Sequence, residues 1–159
     1  MFRRIIALLA LTSALFVLNA CQPEAPKQDP ALTMPTNPAD SMAWKKYAGN
    51  VAKLYAPKDK SGRIYSIYVD HQANEEQVKQ RIEQIKNQIA PGLAEGTILL
   101  YASPDSNVMA DIVVGAFAEP RADALKGTSV IFLGKPEDQE RVRAAVTAWG
   151  ATFTFHEAK

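Results

Sequence analysis

Two five-residue stretches limit what this chain can fold into. Ile98–Ala102 reads Ile-Leu-Leu-Tyr-Ala and Ser129–Leu133 reads Ser-Val-Ile-Phe-Leu, each apolar nearly throughout rather than alternating with polar residues. A strand that shows one face to water alternates. A strand without alternation needs cover on both faces, which is the condition inside a parallel sheet. The cover has to come from helices, because parallel strands are joined by long crossovers.

The segments between these runs have helical periodicity. Asn74 is placed to cap a helix in which Val78, Ile82, Ile85 and Ile89 line one face and charged side chains the other, with Pro91-Gly92 as the stop. Ser103-Pro104-Asp105 reads as cap, first turn and dipole-compensating acid of the next helix, which runs to about Ala118 and presents Met109, Ile112, Val113, Ala116 and Phe117. Its other face is also apolar, so it is expected to be the most buried helix. Lys126-Gly127 turns into the Ser129 strand. Pro136 opens a last helix with Val142, Ala145, Val146 and Trp149 inward, and Gly150 ends it.

Two further strands are expected. Ile64–Val69 is β-branched and aromatic, and Thr152-Phe153-Thr154-Phe155 alternates as an edge strand covered on one face would. Ahead of them, a first helix is predicted to begin near Asn37-Pro38 and to bury Trp44, Tyr47, Ala48, Val51, Leu54 and Tyr55 before Pro57. The order is αβαβαβαβ. It predicts an α/β fold with a small, mostly parallel four-stranded sheet, the Ile98 and Ser129 strands central and the other two at its edges. One domain, residues 42–159, accounts for all of this.

The front of the chain is different. Met1-Phe2-Arg3-Arg4 is cationic, Ile5–Val17 is mostly apolar, and Leu18-Asn19-Ala20-Cys21 follows. This is the pattern of an export signal, too short to span a bilayer comfortably. The last four residues resemble the lipobox of bacterial lipoproteins, with Leu three places before the cysteine, a small Ala beside it, and Asn19 in place of the usual small residue. The resemblance covers residues 1–22. It implies a signal peptide over 1–20, a diacylglyceryl group on the Cys21 thiol, cleavage on the amino side of Cys21 and further acylation of the new amine. By the best-known sorting rule of that family, Gln22 rather than Asp after the cysteine implies the outer membrane, facing the periplasm. From Gln22 to Asp40 stand Pro23, Pro26, Pro30, Pro35 and Pro38, with few apolar side chains. Residues 21–41 are therefore expected to be a lipidated cysteine and a proline-rich tether.

Composition narrows the chemistry. Without residues 1–20 the chain has 16 basic and 17 acidic side chains, so no nucleic-acid partner is expected. Cys21 is the only cysteine, which excludes disulfides within the chain and thiolate metal clusters. No metal site is expected: His71 and His156 are the only histidines and lack a close ligand spacing. No cofactor is expected either, since there is no Gly-x-Gly-x-x-Gly, and Gly134-Lys135-Pro136 is not a phosphate loop.

Ligands of open parallel sheets bind beyond the carboxyl ends of the strands. That edge is predicted to collect Asp70, His71, Ser103, Asp105, Ser106, Lys135, His156 and Glu157. His71 could serve Ser103 or Ser106 as a base, oriented by Asp70 or Asp105. Against this, no nucleophile elbow is present, and Ser103 and Asp105 read first as the start of a helix, which the adjacent Pro104 supports. Lys135 with that helix start would suit an anion. A second feature is basic: Lys45, Lys46, Lys53, Lys58, Lys60 and Arg63 face only Asp59, with Trp44, Tyr47 and Tyr55 between them. Such a face suits anionic lipid heads, a cell-wall polymer or an acidic protein. The leading expectation is a membrane-anchored, non-enzymatic module that binds an envelope protein or an anionic envelope component. The rivals are a small envelope hydrolase or transferase, and an immunity-type protein that neutralises a toxin.

Overall fold

The computed structural model describes residues 32–56 and 62–159. The expected signal peptide, Cys21, the first part of the expected tether, and Lys58 and Lys60 lie outside the described residues. The elements are α1 (Ser41–Tyr55), β1 (Ile64–Tyr68), α2 (Glu75–Ile89), β2 (Ile98–Ala102), α3 (Ser106–Ala116), β3 (Ser129–Gly134), α4 (Pro136–Thr147) and β4 (Thr152–Glu157). This is the predicted α/β order.

All four strands are parallel and lie in the order β1-β2-β3-β4. Parallel crossovers are right-handed, so three steps taken in one direction put all three connecting helices on one face. The packing has that form. Ile67, Leu99, Tyr101, Val130 and Phe132 point into a core shared with α2, α3 and α4. The opposite side chains, Ile98, Leu100, Ala102, Ile131 and Leu133, meet Trp44, Tyr47, Ala48, Val51 and Ala52 of α1. Every residue of β2 is buried, as is β3 from Val130 onward, which is why neither strand alternates in sequence. The central α3 buries Met109, Ala110, Ile112, Val113 and Ala116 because α2 and α4 flank it.

Several boundaries differ from the sequence reading. Helix α1 starts at Ser41, not near Asn37-Pro38. Asp40 is its cap, accepting from Ala43 N, while Asn37 folds a separate turn by accepting from Ala39 N through its side chain and from Asp40 N through its carbonyl. Leu54 and Tyr55 are exposed, at 55% and 39%, because the buried face of α1 ends at Ala52. Helix α3 is capped by Asp105 rather than Ser103 and ends at Ala116. Strand β4 is half-buried at each of Phe153, Thr154, Phe155 and His156 instead of alternating. Phe153 and Phe155 meet the core on the α2–α4 side. His156 lies against Tyr47 and Tyr55 on the other. Residues 32–40, read as tether, include Leu32 and Met34, which pack on the α1-side core.

Tyr101 marks how dry the larger core is. Its side chain is fully buried, edge-on to Phe117 at 6.2 Å, and its hydroxyl has no partner. Burial raises the pKa far above the usual tyrosine range, so it stays neutral. An orphaned buried hydroxyl costs about 1–3 kcal/mol. Tyr101→Phe keeps the ring contact and removes that cost. The variant is expected to unfold in urea at a midpoint equal to or above the wild type, by up to about 1 kcal/mol. A clear loss of stability would mean that the hydroxyl is bonded.

Candidate functional site

The strand-end residues do not converge. The sheet order never reverses, so there is no switch point at which a crevice opens between helices on opposite faces. The polar side chains of that edge fall into three separate places.

At the end of β1, His71 Nδ1 lies 2.9 Å from Asp70 Oδ1, poorly aligned and with no hydrogen bond. Asp70 also accepts from Gln72 N. Among the described residues His71 makes no hydrogen bond with Ser103, Asp105 or Ser106, so the expected histidine base does not stand beside either serine.

At the ends of β2 and β3 the serines have structural partners. Ser103 Oγ accepts from Asp105 N at 3.1 Å and shapes the turn into α3. Asp105 caps α3 by accepting from Val108 N. Its carboxylate sits where an anion would bind, so this helix start is already neutralised. Ser106 is buried: its hydroxyl accepts from Lys135 N at 2.8 Å and donates to Asp138 Oδ2 at 2.5 Å. Gly134 is glycine for the same reason, since a Cβ there would stand 2.7 Å from Ser106 Oγ and closer still to the Phe132 ring.

Asp138, 5% exposed, holds the centre of this network. Arg141 donates to its Oδ1 and also to Asp111 and Asn107. These bonds raise the arginine's pKa, with Asp111 the largest contributor, so its charge is secure. The cluster ties α3 to α4. Asp138 stands three residues before Arg141, a spacing that marks a pair on one helix face.

A cleft of about 190 Å³ lies above Ser103, Ser106, Gly134 and Lys135. Met34, Pro35, Thr36 and Pro38 of the docked segment wall it, with Trp44 and Ala158. Trp44 Nε1 donates to Asn37 O and holds that segment down. Ligand pockets usually enclose about 300–1,000 Å³, so this one suits only a small group.

The third place is β4. His156 Nδ1 and Tyr55 Oη are 3.0 Å apart, and the rings of Tyr55 and Tyr47 stand edge-on to the imidazole. Burial first, then Lys159, lowers the His156 pKa, which favours the neutral ring beside the tyrosine hydroxyl. Its work is to hold α1 against the sheet edge. Among the described residues no three metal-ligating side chains come together.

The basic feature survives folding as a surface. Lys45, Lys46 and Lys53 are all exposed on α1, which contains no acidic residue. Lys45 Nζ lies 5.3 Å from the centre of the Tyr68 ring. Among the described residues none of the three has an acidic partner. The helices on the other face carry seven acidic side chains against five basic ones. Charge is thus sorted by layer. No helix of the described residues is long and apolar enough to cross a membrane.

The buried network gives a sharp contrast. Asp138→Ala strands the Ser106 hydroxyl and one side of Arg141, and is expected to cost about 2–3 kcal/mol in chemical denaturation. Asp111→Ala removes a half-exposed partner of the same arginine and should cost under about 1 kcal/mol. Equal losses would contradict this assignment.

No family model matches the chain, and neither a curated protein nor a solved structure matches it.

Proposed function

We propose that this chain is a lipid-anchored protein of the bacterial envelope, held at the periplasmic face of the outer membrane through acylated Cys21, and that it works by binding rather than by catalysis. The lipobox resemblance and Gln22 support the anchor and its placement. The binding reading rests on one observation: α1, the one described helix on its face of the sheet, turns three lysines and no acid to solvent. The strand-end serines support it in a second way. Their hydroxyls are committed to a turn and to the Asp138 network, and no histidine reaches them.

The basic face is the working surface and an envelope component is its target. Three exposed lysines suit a diffuse negative charge, because each is a flexible point charge rather than a shaped donor. The tether keeps the surface near that target, so modest affinity is enough.

A photo-crosslinking side chain tests this in intact cells. Placed at Met42 on α1, it is expected to give adducts with an envelope component, whether protein or lipid. Placed at Gln80 on α2 it should give few. Equal yields at the two positions, or none at Met42, would overturn the assignment of the working surface.

A further inference from the structure

We propose that the target of the α1 face is the membrane that carries the anchor, through the anionic headgroups of its phospholipids. The proposal rests on reading Cys21 as the lipid attachment site, and it goes beyond that reading by orienting the domain on the bilayer.

Geometry comes first. Leu32, where the described chain begins, packs with Met34 on the α1-side core. The tether therefore reaches the domain on the side of the sheet that carries the lysines. Eleven residue steps separate Cys21 from Leu32, and such a length spans at most roughly 40 Å. With the α1 face towards the lipid, the chain runs directly from bilayer to domain. With the α2–α4 face towards it, the same short chain would have to pass around the sheet.

Charge and side-chain chemistry agree. Lys45, Lys46 and Lys53 lie on the side nearest the tether, and the acid-rich layer lies on the far side. Met42 (79% exposed) stands at one end of the lysine stripe and Leu54 (55%) at the other. A basic helix face with exposed apolar side chains at its ends is the pattern of a helix that rests on headgroups and lightly enters the interface.

Magnitude decides whether so few lysines suffice. Each basic residue near an anionic surface strengthens attachment about fivefold, so three give roughly a hundredfold. A free domain would hardly bind on that basis. A domain tethered within a few tens of ångströms is at an effective concentration of about millimolar, where a hundredfold preference sets its orientation.

The test uses the acylated full-length protein in vesicles, with a polarity-sensitive dye on Met42→Cys, the Cys21 thiol being blocked by its own lipid. The dye is expected to shift to the blue on vesicles containing phosphatidylglycerol and to stay solvent-like on pure phosphatidylcholine. The shift should vanish in a Lys45→Glu, Lys46→Glu, Lys53→Glu background, which should keep the wild-type circular dichroism and a cooperative melt, lowered only by the lost Lys45–Tyr68 contact and the new acid at the end of α1. It should also vanish at about 1 M salt, where the screening length is about 3 Å. A dye on Gln80→Cys should not respond. Co-flotation with an unshifted Met42→Cys dye on anionic vesicles overturns the docking alone, as does an equal shift on neutral ones. Failure to float with either vesicle overturns the anchor and the docking together.

Discussion

The backbone groups of β2 and β3 are paired on both sides and their side chains are buried on both faces, and this double enclosure organises the molecule. One face needs α2, α3 and α4, which the right-handed crossovers deliver together. The other face needs a separate cover, and α1 is the helix available for it. A single-handed winding therefore produces two unlike outer layers: three packed helices on one side, and one helix with the docked segment of residues 32–38 on the other. The small cleft walled by Met34, Pro35, Thr36 and Pro38 is a consequence of that imbalance, and the exposed lysines of α1 lie on the thinner layer.

Those features most tied to apolar pattern were legible from the residues. Unbroken runs at Ile98–Ala102 and Ser129–Leu133 could only be central strands, and Asn74 capped α2 as expected, with Gln77 completing the reciprocal bond. Patterns that report burial by one neighbour were less reliable. Leu54 and Tyr55 keep the helical spacing past Ala52, where the buried face of α1 ends, so they read as core and are exposed. β4 read as covered on one face only, because the sequence could not show that α1 would send Tyr47 and Tyr55 across to His156. Residues 32–40 read as tether from their prolines, while two apolar side chains, Leu32 and Met34, were enough to dock them.

The candidate site was legible as residues but not as an arrangement. Asp70, His71, Ser103, Asp105, Ser106, Lys135, His156 and Glu157 do lie at or near strand ends, as the parallel topology requires. Sequence alone leaves open whether they converge, since that depends on strand order. With the order running β1 to β4 without reversal, His71 and His156 stand by opposite edge strands and the serines between them pair with caps and with Asp138. The basic character of α1 needed no such information. Charge on an exposed helix face is visible in the sequence once the buried stripe is known, and Lys45, Lys46 and Lys53 fall outside it.

All of the functional reading assumes a domain held at a lipid surface outside the cytoplasm. The direct measurement is the intact mass of the protein purified from the envelope of its own cells. The account predicts a chain that begins at Cys21, heavier than its polypeptide by a diacylglyceryl group on sulfur and a fatty acyl group on the amine. A chain that retains residues 1–20, or one that carries an unmodified Cys21 thiol, would contradict it.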